Sequence, residues 1–317
     1  MLLACVAHST YAATSCSMHH AYPGVVDLNV VDGQLVATLG QYFVPESPSD
    51  QGPIQLVLNK QNTWRRSSTR SSAPGRYADR CDERMQPPLD IDWLKQYGHN
   101  PDPNSGFNQE IEVCTSHDRF SWGGISFYSG EDSWGVGGIV RKSLTTGEYV
   151  YYRPYILREY SVSEIQYFDK QLWLGTTHNG ECAGLQNGYG LQRFNLLDQN
   201  SYGFADDVPE VCGFAVRKFV VFDGDLWVAS DLGLARSRRA KDGKLMWQNY
   251  VPDSENEYTM RPVECPDLYE ELLHSSHIVM EDPLHMGFAF DDFWYRLSQL
   301  RREFVASYLR KLHNHPE

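Results

Sequence analysis

Positive charge is scarce in this chain: 28 Lys and Arg stand against 41 Asp and Glu, for a net charge of −13. A surface of that sign repels phosphates, so neither nucleic acid nor an anionic membrane surface is expected as the main partner. Long apolar runs are missing as well. No stretch approaches 18 consecutive apolar residues, so no membrane-spanning helix is expected. There is no Cys-x-x-Cys pair, no glycine-rich phosphate loop, no Gly-x-Ser-x-Gly elbow and no His-Glu-x-x-His. Structural zinc, nucleotide cradling, serine-hydrolase and zincin chemistries lose their usual signatures with them. No cofactor and no metal site are expected, and His313 and His315 would hold a metal only adventitiously.

The 317 residues present are 41% hydrophobic, 13% aromatic and 22% charged, with 25 Gly and 16 Pro. That is the composition of a turn-rich globular protein, long enough to bury its own core. Residues 1–15 begin with Met1-Leu2-Leu3-Ala4-Cys5 and continue into small residues. They read either as a truncated export leader, with Cys5 a possible lipid anchor, or as an ordinary apolar segment. If Cys5 belongs to a leader, six cysteines remain: Cys16, Cys81, Cys114, Cys182, Cys212 and Cys265. An even set suits disulfides in an oxidising compartment, periplasmic or extracellular; buried free thiols in a cytosolic protein are the alternative.

A repeat lies in the middle of the chain. Val162-Ser163-Glu164-Ile165-Gln166-Tyr167-Phe168-Asp169-Lys170-Gln171-Leu172-Trp173-Leu174-Gly175-Thr176 matches Val216-Arg217-Lys218-Phe219-Val220-Val221-Phe222-Asp223-Gly224-Asp225-Leu226-Trp227-Val228-Ala229-Ser230. Each is a strand, a two-residue polar turn and a second strand opening on Leu-Trp, and Asp223-Gly224 is a strong tight-hairpin signal. Third strands follow at Gly190–Phe194 and Gly233–Ser237, and a fourth at Met246–Pro252. A weaker unit is read as Ile125–Tyr128, Ser133–Gly137, Gly138–Arg141 and Tyr149–Pro154, and another as Val25–Val31, Leu35–Thr38, Ile54–Leu58 and Thr63–Arg65. Four antiparallel strands per unit predict an all-β propeller with four to five detectable blades; an antiparallel sandwich is the competing architecture.

The pattern Phe-Asp-x-x-Leu-Trp-[Leu/Val]-[Gly/Ala]-[Thr/Ser], followed by Gly-Leu-x-Arg, resembles the two-component regulator propeller repeat of periplasmic sensor regions and related bacterial propellers. The resemblance implies a propeller over residues 16–284 and a place in the bacterial envelope. It does not imply a ligand. Residues 69–123 break the rhythm with Pro- and Gly-rich turns and read as a long insertion with one short helix near Asp90–Tyr97. Residues 285–317 carry Phe293, Leu297, Leu300, Phe304, Tyr308 and Leu312 at helical spacing, predicting a C-terminal amphipathic helix.

In a blade scheme, ligands meet the loops joining strand two to strand three and those joining blades. One such loop carries His178, Asn179 and Glu181, its neighbour carries Asp206, Asp207 and Glu210, and Asp231 lies on a third. These are the candidate binding residues, with His178, Glu181 and Asp231 the candidate catalytic set. Placing Cys182 and Cys212 on one face favours a 182–212 disulfide; Cys81 and Cys114 would staple the insertion, leaving Cys16 and Cys265. Two functions follow: an exported, non-catalytic propeller that binds a protein, peptide or glycan, or a propeller hydrolase or lyase acting on a polymer. The first is favoured because neighbouring loops supply no complete catalytic set.

Overall fold

Alternating polar and apolar residues broken by Asp-led turns commit most of the described residues to antiparallel hairpins. The computed structural model describes residues 24–40, 54–67, 81, 85, 87, 88, 90–96, 107–128, 134–177, 188–194, 205–253 and 259–268. These form four antiparallel sheets, each running through its strands in chain order. Sheet I comprises β1 (Gly24–Val31), β2 (Gln34–Gly40), β3 (Ile54–Leu58) and β4 (Trp64–Arg66). Sheet II follows a short helix, α1 (Ile91–Gln96), and comprises β5 (Glu110–His117), β6 (Phe120–Ser126), β7 (Gly138–Ser143) and β8 (Tyr149–Tyr152). Sheet III is β9 (Ser161–Phe168), β10 (Gln171–Thr177), β11 (Leu191–Phe194) and β12 (Ala205–Asp207). Sheet IV is β13 (Val216–Phe222), β14 (Asp225–Ser230), β15 (Gly233–Arg239), β16 (Leu245–Pro252) and β17 (Met260–Val263).

The first hairpin of every sheet closes on two residues, and Asp leads each pair: Asp32, Asp118, Asp169 and Asp223 all take positive φ. A left-handed first turn residue matches the twist of the flanking strands, and the short Asp side chain tolerates it. The Leu-Trp and Gly-Leu-x-Arg motifs then face each other, since Trp122 pairs with Arg141, Trp173 with Arg193 and Trp227 with Arg236. The Arg141 guanidinium lies 5.7 Å from the Trp122 ring and that of Arg236 5.0 Å from Trp227. Cation–π contact is therefore one physical content of the repeat. Arg236 is fixed further by Asp225 at 2.6 Å and by the Asn62 side-chain oxygen at 2.8 Å, which ties sheet IV to sheet I.

Three apolar clusters lie between sheets. One joins II and III through Trp122, Ile139, Val162 and Leu172; a second joins III and IV through Trp173, Phe219 and Leu226; a third joins IV and I through Trp227, Leu28 and Trp64. Their first strands are neighbours in the same sequence, β5 beside β9, β9 beside β13 and β13 beside β1. Among the described residues, sheet I thus packs against the last sheet.

Several expectations need correction. The second unit starts at β5, so Ile125 and Ser126 end its second strand, Tyr128 lies beyond it and, of the expected Ser133–Gly137 strand, the described residues 134–137 do not form one of its strands. Trp122, not Trp134, is its motif tryptophan, so the three motif tryptophans fall 51 and 54 residues apart. β5 and part of β6 occupy the end of the 69–123 region read as an insertion, while the short helix expected there is present as α1. Asp206 and Asp207 lie in β12, the outermost strand of sheet III, rather than on a loop. Cys81 is bonded to Cys114, as expected, but Cys212 is bonded to Cys265 with Cα atoms 5.2 Å apart, not to Cys182. The reason is β17: by adding a fifth strand beside β16 it returns the chain to Asn249, whose side chain also meets the Cys212 amide and the Glu210 carbonyl. Cys16, Cys182, the 1–15 leader and the 285–317 helix lie outside the described residues.

Trp227 is fully buried and touches Trp64 edge-on at 5.7 Å and Tyr250 at 6.0 Å. Trp227→Ala is expected to lower the unfolding free energy by ~3–5 kcal/mol in urea denaturation, the usual cost of emptying an aromatic core site. A loss under ~1 kcal/mol would show that sheets I and IV are held together by something else. Breaking the Cys212–Cys265 link, which closes a 53-residue separation, is expected to cost up to ~4 kcal/mol by chain entropy, read as a lower urea midpoint for Cys212→Ser.

Candidate functional site

In all four sheets the ladder between first and second strands slips by one residue at the same place, so that the register skips Val26, Glu112, Ser163 and Arg217. Beyond each bulge an equivalent position follows: Gly40, Ser126 and Thr177 end their strands, and Asp231 comes directly after β14. A repeated bulge of this kind bends the strand and re-aims its side chain, and bulges are common beside binding sites. The two positions are neighbours, because a Cβ on Gly40 would meet the Val26 side chain at 2.6 Å. Sheet I fills the pair with Val and Gly. Sheet III fills it with Ser163 and Thr177, and sheet IV with Arg217 and Asp231.

Asp231 is the one carboxylate among the four strand-end residues. Its Oδ1 accepts the Phe214 amide at 2.9 Å and the Ala215 amide at 3.2 Å. Its Oδ2 is closed to solvent and has no hydrogen-bond partner among the described residues, although the residue as a whole is half-buried. Burial raises the carboxyl to about 6, while the Arg217 charge and the backbone amides pull the other way. The Thr177 hydroxyl, at the equivalent point of sheet III, is likewise buried without a partner among the described residues. Phe214 connects the two strand ends: its N–H donates to Asp231 and its carbonyl accepts the Gly190 N–H at 2.7 Å, while the Gly190 carbonyl accepts the hydroxyl of Thr176 at 2.9 Å. Glycine is needed at this junction, since a Cβ on Gly188 would lie 2.2 Å from the Phe214 carbonyl oxygen and one on Gly24 2.5 Å from that of Asp231.

Of the candidates from sequence, Asp231 stands at this junction. Glu210 is exposed and is held over β16, since the Asn249 side chain donates to its carbonyl at 2.8 Å. The backbone of Asp206 and Asp207 pairs with Arg193 and Gln192 in β11, so these residues flank the outer edge of sheet III. His178, Asn179 and Glu181 lie outside the described residues. Arg217 and Thr177 were not singled out from sequence. Aligning Val162-Ser163 with Val216-Arg217 carries the signal, because a charge there enters a position that is small or apolar in sheets I and III.

Tyrosines collect at the same end of the sheets. Tyr128 follows β6 and Tyr155 follows β8, with relative exposures of 43% and 79%. Tyr160 and Tyr189, both half-buried, have ring centroids 5.7 Å apart. Behind Tyr155, Trp93 of α1 is flanked by the Arg153 and Arg158 guanidiniums at 4.8 and 5.4 Å. Among the described residues, no group of three or more His, Cys, Asp or Glu could hold a metal ion. No family model matches the chain, and no curated protein matches it.

A carboxyl raised from 3.8 to about 6 binds its proton more tightly in the folded chain than in the unfolded one. Its contribution is fully present below about pH 4 and is lost as the pH rises through about 6, at most about 3 kcal/mol. Thermal unfolding of the wild type is therefore expected to shift down between pH 4.5 and 7 by more than that of Asp231→Asn. Identical pH slopes for the two proteins would show that Asp231 titrates normally.

Proposed function

We propose that the chain is an exported propeller that binds its ligand without catalysis, at the end of the sheets that carries Thr177, Arg217 and Asp231. In this reading the four described sheets are blades about one axis, with β5, β9, β13 and β1 innermost. The neighbour relation of sheet I to sheet IV supports it, since a ring brings the first blade back to the last. The recurring hairpin and the Trp–Arg pairing support the kinship with the two-component regulator propeller repeat. The Cys81–Cys114 and Cys212–Cys265 bonds fit an oxidising compartment, and among the described residues no helix is long and apolar enough to cross a membrane.

The observation that carries the binding reading is the pair of unsatisfied groups, Thr177 Oγ1 and Asp231 Oδ2, at matched positions of adjacent sheets. An unmatched buried polar group costs ~1–3 kcal/mol. Both atoms are closed to solvent in this structure, so a partner recovers that cost as affinity only by displacing what covers them.

Hydrogen–deuterium exchange of the intact chain, with and without a soluble extract of the host envelope, tests this. Added protection is expected at Gly190, Phe214–Arg217 and Asp231–Gly233. Protection confined to the hairpin end, at Asp32-Gly33 and Asp223-Gly224, would place the binding surface at the wrong end of the sheets. Intact mass of the protein from its host tests export: the two bonds identified here should be closed, and a chain with every thiol free overturns the compartment.

A further inference from the structure

Each sheet ends on an outer strand beyond which no further strand pairs among the described residues: β4, β8, β12 and β17. Such an edge presents open N–H and C=O groups and takes up another strand unless charge or proline guards it. Three of the four are guarded. β4 carries Arg65 and Arg66, β12 carries Asp206 and Asp207, and β17 carries Arg261 and Pro262. β8, Tyr149-Val150-Tyr151-Tyr152, has neither charge nor proline.

On β8 the outward backbone is that of Tyr149 and Tyr151. The Ser143 N–H donates to the Glu148 carbonyl at 2.8 Å, so the alternation of the ladder gives its hydrogen bonds to the Arg141–Val150 and Ile139–Tyr152 pairs and turns the residues between them outward. The Tyr151 N–H and C=O then have no partner among the described residues. Exposed apolar side chains flank the same strand. Of the three most exposed large ones among the described residues, Tyr155 at 79% follows β8 and Leu144 at 57% stands in the turn before it; Met246 is the third. Pro154, at φ −52° and ψ 142°, keeps the chain extended up to Tyr155.

A second copy of the chain fits this edge. An antiparallel pair about a twofold axis sets each strand against its own reverse, which for Arg65-Arg66 or Asp206-Asp207 opposes like charges. β8 opposes aromatic to aromatic instead, a favourable cross-strand pair. When the pair is centred on Tyr151, each Tyr151 N–H donates to the other copy's Tyr151 carbonyl, and Tyr155 of one copy falls opposite Gly147 of the other, in the turn that carries Leu144. The same reversal sets the Glu148 end of one strand against the end that leads to Arg158 in the other. A net charge of −13 on each copy opposes association in general, which leaves the uncharged strand as the place where two copies meet at least electrostatic cost.

We propose that β8 is a self-association edge: two copies of the chain pair antiparallel along Tyr149–Tyr152, joining their second sheets into one, with Tyr155 of each copy packed on Leu144 of the other. Sedimentation equilibrium of the intact chain over about 1 to about 100 μM tests this, with hydrogen–deuterium exchange at both ends of the range. A monomer–dimer equilibrium is expected, with amide protection gained at high concentration in the 149–155 peptide. Leu144→Asp and Tyr155→Asp, both at exposed positions, are expected each to weaken dimerisation about tenfold, and Met246→Asp to leave it unchanged. A chain that stays monomeric over the whole range overturns the inference. So does a dimer that gains its protection outside β8 or is indifferent to both variants beside β8, and so do assemblies that keep growing past two copies, the sign of a head-to-tail contact between unlike edges. Urea midpoints of the variants separate a lost contact from a lost fold.

Discussion

Trp227 is the residue on which the assembly of sheets depends. It sits in the second strand of the last sheet, yet its ring meets Trp64 of the first sheet, and the Arg236 guanidinium above it is held by Asn62 of that same sheet. A sheet with an apolar face cannot stand alone in water and needs a neighbour to cover it. Between II and III, and between III and IV, the chain supplies that neighbour next in sequence. Between IV and I it joins segments almost 200 residues apart, and only a large buried ring with a charged cap has the area and directionality to hold such a contact against its loop-closure entropy.

From that packing the site follows. Placing first strands side by side brings their bulges to one end of the assembly, and each bulge sets one residue skipped by the register beside the end of the second strand. The geometry repeats while the chemistry varies: Val and Gly in sheet I, Ser and Thr in sheet III, Arg and Asp in sheet IV. A repeat protein can thus build an asymmetric site from a symmetric frame by substituting at positions where the ladder is already interrupted. Those substitutions leave the sheet's hydrogen bonds and cores untouched.

The hairpins were legible in the sequence because type I′ turns demand positive φ and Asp-Gly announces it, at Asp32-Gly33 and Asp223-Gly224. The turn at Asp118-Arg119 hid itself, since Arg carries no such preference, and the second unit was consequently read one strand late. β17 escaped because Pro262 discourages a strand; it is tolerated there on an outer edge, where no further strand needs its missing N–H. With β17 unseen, Cys265 had no reason to approach Cys212. Asp206 and Asp207 were taken for loop residues on composition, yet edge position in β12 accommodates residues that a central strand would reject. The position of Asp231 at the end of the second strand was legible from the blade scheme alone. Arg217 was not, because a bulge has no signature of its own and shows only once the repeats are set in structural register.

Asp231 combines two roles that pull in opposite directions. Through Oδ1 it fixes the Phe214 and Ala215 amides and so sets where β13 begins beside β1 and β9, a structural task that an amide oxygen would perform as well. Through Oδ2 it carries an unmet charge into a closed space, with burial pushing its ionisation up to about 6 despite Arg217 nearby. An Asn in its place would shed the cost of ionisation at neutral pH. The carboxylate's surplus over Asn is its charge, which meets the Arg217 charge and strengthens the two amide hydrogen bonds within the frame. In the proposed reading, the oxygen that destabilises the fold at neutral pH is also the one offered to a ligand, the exchange of stability for function expected where a fold presents a site.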